Sequence, residues 1–237
     1  MGIEVDPDWG FDTEITFQPL GSSAAVKWEM CLRDGEVNPV LEALFRENLN
    51  PQQTTLNALH NHFWELRPKI KFLHGLAKGD PVGLAQALRN ALRHSQQPVT
   101  SSPPSDTDLP NDEIASIIGG DGTVSGRVLT LTVPRVEKIQ EHGIRLQPTM
   151  QFESVFNFQK VGRYESIVNA DFVLTPNEFD AVARFLRERA FIIMAAHNHE
   201  VFVEPRFYYL HTGNVCSPIS QAKIIREALE KTSSKLK

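Results

Sequence analysis

The sequence predicts an α+β fold made of two pseudo-symmetric ββαββα repeats, in which antiparallel or mixed sheets carry helices on one face. Three observations support this prediction. The two halves of the chain are similar to each other over about ninety residues, and their apolar residues follow strand and helix spacing in the same order. A histidine pattern also occurs once in each half.

Self-comparison aligns the two halves with only two small gaps. Residues 2–21 match residues 143–162 at an offset of 141. The offset becomes 142 where Glu29 meets Asp171, and it settles at 137 after an extra loop at residues 50–53. Such agreement indicates an internal duplication.

The duplication predicts three segments, which are a first repeat over residues 1–94, a linker over 95–111 and a second repeat over 112–237. The linker is rich in Pro, Ser and Asp, and this composition cannot bury enough apolar surface to order itself. The second repeat begins with a predicted helix over 112–118 and a strand over 128–133, for which the first repeat has no equivalent. The shortened first repeat leads to the hypothesis of a homodimer in which another chain supplies the missing part.

Each repeat is expected to run strand, strand, helix, strand, strand, helix, because alternating apolar residues predict strands and apolar residues three or four apart predict helices. In the first repeat the predicted elements are strands 13–17 and 26–32, a helix over 37–45, strands 56–63 and 69–74, and a helix over 84–92. In the second repeat they are strands 154–158 and 166–174, a helix over 178–189, strands 191–199 and 206–211, and a helix over 220–231.

Composition and charge narrow the class of protein. With 41% apolar and 22% charged residues, the chain is typical of soluble globular proteins. The net charge of −5 and the lack of a basic stripe argue against a nucleic-acid partner, because phosphate neutralisation supplies most of such binding. No apolar stretch approaches the ~20 residues that a membrane span needs. The first residues show neither a basic region nor an apolar run, so we expect a cytoplasmic protein with no membrane partner.

Six of the eight histidines form one pattern that occurs twice. In each repeat the histidines fall at relative positions 0, 2 and 14, within Ala-Leu-His-Asn-His or Ala-Ala-His-Asn-His and a later Leu-His. They are His60, His62 and His74 in the first repeat, and His197, His199 and His211 in the second. Imidazole is the commonest metal ligand at neutral pH, so the pattern predicts metal binding.

Strand geometry explains how three such side chains can meet one ion. Residues i and i+2 of a strand face the same side, so His60 and His62 project together. If the two histidine strands form a hairpin centred near Arg67, His60 lies directly opposite His74, and the second repeat behaves in the same way. The sequence therefore predicts one three-histidine site in each repeat, with an open coordination position as in catalytic zinc sites.

Two carboxylates and two cations are candidates to complete the sites. Glu29 and Asp171 occupy equivalent positions on the preceding strand, and we predict that they act as additional ligand or general base. Lys69 and Arg206 are also equivalent, and we predict that they orient an anionic substrate, although exposed turn charges fit their positions equally well. Glu200 is expected to be a solvated turn residue.

The motifs resemble the LppY/LpqO family of bacterial proteins. The resemblance lies in the pattern Ala-(Leu/Ala)-His-Asn-His, Pro-(Lys/Arg) and Leu-His, at residues 58–74 and 195–211. Residues 169–172 resemble the Gly-Asp-Phe element of the family, with alanine in place of glycine. The resemblance covers nearly the whole chain except the linker and fits its duplicated arrangement. It implies little about activity, because the family has no settled function.

These observations favour a metal-dependent enzyme with hydrolase- or lyase-like chemistry on a small anionic or carbonyl-containing substrate. A divalent metal is the expected cofactor, with zinc favoured and iron as the alternative. Hydrolysis or elimination is favoured over redox chemistry because no redox cofactor motif is visible. Two other hypotheses stay open: a non-catalytic protein that binds metal or ligand through the same histidines, and a scaffold whose histidines bind nothing.

Overall fold

The structure is a computed structural model that describes residues 2–47, 54–62, 67–96 and 105–237. The described residues form antiparallel sheets and five α-helices, so the α+β class predicted from the sequence is confirmed. Residues 97–104 of the expected linker lie outside the described residues.

The first half of the chain builds a four-stranded sheet with two helices. A short 3-10 helix, Pro7–Trp9, precedes this sheet. The elements are β1 (Glu14–Leu20), β2 (Ser23–Arg33), α1 (Val37–Arg46), β3 (Thr54–His60), β4 (Ile70–Gly79) and α2 (Pro81–Leu92). The strands are arranged in the order β1-β2-β4-β3.

The second half builds a larger sheet from a similar succession of elements. It opens with α3 (Asn111–Ile118), β5 (Asp121–Ser125), β6 (Val128–Pro134), β7 (Ile139–Glu141) and β8 (Ile144–Leu146). It continues with β9 (Glu153–Lys160), β10 (Ser166–Leu174), α4 (Pro176–Glu188), β11 (Ile192–His197), β12 (Val203–Glu204), β13 (Tyr208–Cys216) and α5 (Pro218–Leu229). Six strands form a sheet of order β11-β13-β10-β9-β6-β5, and β12-β7-β8 form a small third sheet.

Each large sheet packs helices on one face and the other large sheet on the opposite face. On β2, the side chains that pack with α1 and α2 are Val26, Trp28, Met30 and Leu32. On β10, those that pack with the helices of the second half are Val168, Ala170, Phe172 and Leu174. Burial of each large apolar side chain contributes roughly 1.5–3 kcal/mol, so the helix-facing cores hold the fold together. The alternate residues, which include Glu29 and Asp171, face the space between the sheets.

Arg135, just after β6, joins α4 to the C-terminal segment. Its buried guanidinium donates hydrogen bonds to Glu178 Oε1 and to the Val173 carbonyl, each at 3.0 Å. Glu178 also forms a capping box with Thr175 and accepts the Ser233 backbone N–H at 2.6 Å. Partial burial raises the pKa of Glu178, but the hydrogen bonds from Arg135 and the backbone outweigh it, so the pKa lies below its usual value.

This hydrogen-bonding pattern gives a pH-dependent prediction for Glu178→Gln. At pH 7 we expect the substitution to lower the free energy of unfolding by about 1.5–3 kcal/mol, as for other hydrogen bonds to charged groups. Because the pKa is depressed in the folded state, the carboxylate stabilises the fold above its unfolded pKa of about 4.3. That contribution is lost as the pH falls through the folded-state value, so the difference from wild type should shrink with acidification.

Urea unfolding of wild type and variant at neutral pH and near pH 3 measures this effect. The matched control is Glu188→Gln, which changes an exposed carboxylate at the other end of α4 and should alter stability little at either pH. A difference between wild type and Glu178→Gln that stays constant with pH would contradict the prediction.

Candidate metal centre

In each half, two of the three histidines lie within neighbouring strands and the third follows shortly after one of them. His60 and His197 are the last residues of β3 and β11, while His74 and His211 lie within β4 and β13. His62 and His199 follow two residues after the ends of β3 and β11, and both are buried.

The hairpin register predicted around Arg67 is wrong by two residues. Ala58 pairs with His74, and His60 lies opposite Phe72. The second half shows the same shift of register, because Ala195 rather than His197 pairs with His211.

Both halves depart from the ideal hairpin on which this prediction was based. A β-bulge interrupts β3 between Leu56 and Ala58 and another interrupts β11 between Ile193 and Ala195, and each bulge adds an unpaired residue to its strand. The connection from β11 to β13 is also not a tight turn, because it contains β12, which pairs with β7.

All six histidines converge on one cluster between the two sheets, which we call the histidine cluster. The shortest distances between ring centroids join opposite halves: 3.7 Å for His60–His197, 3.9 Å for His62–His211 and 3.8 Å for His74–His199. Within one half, His60 lies 4.8 Å from both His62 and His74. The expectation of a separate site in each repeat is therefore replaced by one composite cluster.

Four histidines of the cluster offer nitrogens to a common ion. One ring nitrogen from each of His60, His62, His197 and His199 lies within 4.8 Å of the others. A second such group consists of Glu29, His62 and His74. Zinc–nitrogen bonds of about 2.0–2.1 Å separate tetrahedral ligands by about 3.3 Å, so the four rings need to close by at most about 1.5 Å.

The histidines are neutral at neutral pH, which is the form that binds metal. Burial and, after it, neighbouring histidines hold the pKa values of four rings well below the usual value, namely those of His62, His74, His199 and His211. Burial likewise lowers the pKa of His60 to about 3 and that of His197 to about 4.

Several ring nitrogens of the cluster lack the partner that burial normally requires. The Nε2 atoms of His74, His199 and His211 are buried with no hydrogen-bond partner among the described residues. An unsatisfied buried polar atom costs about 1–3 kcal/mol. Because a divalent cation would satisfy such nitrogens, the donor set fits a metal ion.

Glu29 and Asp171 flank the histidine cluster at equivalent positions. Glu29 lies opposite His74 and Asp171 lies opposite His211 in the strand register. The carboxylate oxygens lie 3.5 Å (Glu29) and 3.6 Å (Asp171) from Nδ1 of the facing histidine. Both distances are longer than a typical hydrogen bond, but they place each carboxyl group beside the imidazole that it would orient in a metal site.

The protonation of these two carboxyl groups is unusual. Burial raises the pKa of Asp171 to about 8, with a further contribution from Glu200. Burial also raises the pKa of Glu29 well above its usual value, and the nearby carboxylates of Glu14 and Asp171 add to the effect. Groups with raised pKa values are suited to transfer protons near neutral pH.

Lys69 and Arg206, the predicted substrate-binding cations, do not join the cluster. Both side chains are exposed, and they lie shortly before β4 and β13. Neither lines the cavity beside the histidines. Their positions match those of exposed turn charges.

A buried ion pair that the sequence did not predict lies beside the cluster. Lys27 Nζ contacts Glu200 Oε1, and both side chains are fully buried. The Tyr209 hydroxyl donates to the same oxygen at 3.2 Å. The expectation that Glu200 is solvated is wrong, because the residue follows buried His199 into the interior. The signal for Lys27 was strand alternation, which places it on the inward face with Glu29.

A cavity of about 240 Å³ opens beside the cluster and reaches His62, His199 and His211. Glu29 and Asp171 line it, together with four further carboxylates: Asp8, Asp12, Glu14 and Glu153. Asp12 and Glu153 occupy equivalent positions at the offset of 141, so the internal duplication could have indicated these two acidic residues of the cavity wall.

The fold and the site define an α+β protein in which both halves contribute to one histidine cluster that could bind a metal. The chain belongs to the family described as Domain of Unknown Function (DUF1259), which matches it over residues 1–94 and 112–231. Comparison with curated proteins and with solved structures gives no significant match. Within the described residues, every helix is too short or too polar to cross a membrane.

Proposed function

We propose that the protein is a metal-dependent enzyme of the hydrolase or lyase type, with one divalent-metal centre shared by its two halves and zinc as the favoured metal. One observation carries this proposal: every ring of the cluster has its closest histidine neighbour in the other half. Such an arrangement gathers six neutral imidazoles at one place, where burial without a cation costs stability.

The residues of the cluster have different roles in this proposal. His60, His62, His197 and His199 would hold the ion, because one nitrogen of each lies within 4.8 Å of the others, and a fifth coordination position would stay open to the substrate. The bound ion would supply Lewis acidity toward a substrate oxygen. Glu29 and Asp171 would orient His74 and His211 and move protons near neutral pH.

The proposal extends to the origin and family of the chain. We propose repeats over 1–94 and 112–237 related by a pseudo-twofold axis, and membership of the LppY/LpqO group. Matching contacts support the axis, since His62 stacks on Phe72 at 3.8 Å and His199 stacks on Tyr209 at 3.5 Å. Phe72 and Tyr209 are equivalent under the offset of 137.

A non-catalytic metal-binding protein is the second candidate. The observation that favours it is the four-nitrogen group of His60, His62, His197 and His199. Four protein ligands saturate a tetrahedral ion, and closed coordination is typical of structural zinc sites.

Cobalt(II) spectroscopy separates the two candidates. Untagged protein loaded with Co²⁺ is titrated with azide while its visible absorption spectrum is recorded. An enzyme with an open coordination position binds azide, and its spectrum changes. A spectrum that azide leaves unchanged supports the closed, non-catalytic site. Less than roughly a tenth of an equivalent of metal, in protein purified under reducing conditions without chelator, would contradict both candidates.

A further inference from the structure

The cavity beside the histidine cluster has a one-sided charge pattern. Its wall carries six carboxylates, which are Asp8, Asp12, Glu14, Glu29, Glu153 and Asp171. The described residues that line it include no Lys or Arg. Lys27 lies on the same strand as Glu29, but it forms an ion pair with Glu200 and does not line the cavity. Burial raises the pKa values of Glu29 and Asp171 and disfavours their charged forms, so the other four carboxyl groups supply most of the negative charge that repels anions and attracts cations.

The remaining wall adds neutral groups that form hydrogen bonds. They are Thr130, Thr132, Thr149, Gln151, Asn157 and Asn169. The hydroxyl, amide and carboxylate oxygens of the wall can therefore accept hydrogen bonds from a ligand.

Asn169 gives an independent indication of a ligand. The residue is only 6% exposed, and its side-chain nitrogen donates to the Trp9 carbonyl at 3.1 Å. Its Oδ1 is buried with no hydrogen-bond partner among the described residues. The neighbouring Asn157 differs, because its Oδ1 accepts from Thr130 at 2.8 Å. Asn169 therefore presents an unused acceptor where a ligand donor would remove the cost of burial.

We propose that this cavity binds a small cationic amine that carries further hydroxyl or amine donors, as the substrate of the metal centre. The inference rests on the proposed function, since the same cavity reaches His62, His199 and His211. An ammonium group has three donors and no acceptor, which complements a wall of acceptors. An anionic substrate, as expected from Lys69 and Arg206, would face the six carboxylates.

The volume of the cavity limits the ligand further. At about 240 Å³ the cavity is smaller than the roughly 300–1,000 Å³ typical of sites for drug-sized ligands. An inorganic cation alone would leave the Asn169 acceptor without a donor. A compact amine uses both the charge and the hydrogen-bonding groups.

A charge series of similar size tests the inference: glucosamine, glucose and glucuronate, with 1,3-diaminopropane as a second amine. Binding is measured by calorimetry on zinc-loaded and on metal-free protein. We expect glucosamine to bind at least about tenfold more tightly than glucose, with glucuronate weakest. Asp12→Asn and Glu153→Gln should each weaken glucosamine binding by about fivefold or more, without changing the metal content. Asp34→Asn, an exposed carboxylate outside the cavity, is the control and should change nothing.

Equal binding of the three sugars, tightest binding of glucuronate, or no binding of either amine would overturn the inference. An effect of Asp34→Asn as large as that of Asp12→Asn would overturn it as well. Metal content is measured on the same samples. Normal metal content without an amine preference rejects this inference alone, whereas missing metal rejects the proposed function.

Discussion

His60→Ala and His197→Ala are each expected to remove nearly all bound metal, although the two residues belong to different repeats. Their rings are the closest pair of the cluster, at 3.7 Å between centroids, and both belong to the four-nitrogen group. Loss of residues that merely orient metal ligands costs roughly 10–100-fold in affinity, so loss of a ligand should cost at least as much. Metal analysis after dialysis against a metal buffer measures the effect.

The control for this experiment is His94→Ala, which removes an exposed histidine outside the cluster and should leave the metal content unchanged. Two independent sites, one in each repeat, would give a different result, because each single variant would then keep about half of the metal. Circular dichroism of the metal-free variants verifies that the loss is not caused by unfolding.

Lys27→Met is expected to destabilise the protein more than any surface substitution. It would leave the Glu200 carboxylate buried without its cation, and removal of one partner from a buried pair costs about 3–5 kcal/mol. The variant also loses the contact of Lys27 Nζ with the Phe152 ring, at 3.7 Å from the centroid. For a chain of this length, we expect a fall in melting temperature of roughly 6–20 °C.

Two further variants make this result interpretable. The double variant Lys27→Met/Glu200→Gln should recover part of the loss, because the unpaired buried charge is gone. Lys71→Met is the matched control, since Lys71 also lies in the first sheet but pairs with Asp34 at 4.0 Å on the surface. Its effect should stay within about 1 kcal/mol. A loss of equal size in Lys27→Met and Lys71→Met would show that burial of the pair is unimportant.

Much of the fold follows from the sequence, because local patterns determine single elements. The strands predicted at 26–32 and 166–174 lie within or coincide with β2 and β10. The helix predicted over 178–189 overlaps α4, in which Glu178 forms part of the capping box. Apolar alternation is strong there because each strand has one face against helices.

The relation between the halves could not be predicted in the same way. Periodicity within one repeat shows which residues share a face, but not what covers that face. Two buried residues illustrate this limit: Lys27 finds its partner Glu200 at a separation of 173 residues, and no local pattern links them. The β-bulges of β3 and β11 likewise depend on pairing with neighbouring strands rather than on their own residues.

The placement of every histidine of the cluster against a histidine of the other half has a consequence for the ancestry of the fold. A chain with a single repeat could assemble this ligand set only by associating with a second copy of itself, at a concentration high enough to form the pair. Covalent fusion makes that encounter intramolecular and therefore independent of protein concentration. It also lets the halves diverge, as at Lys27 and Asn169, which occupy equivalent positions but differ in charge. Two identical subunits could never place a lysine on one side of the cluster and an asparagine on the other.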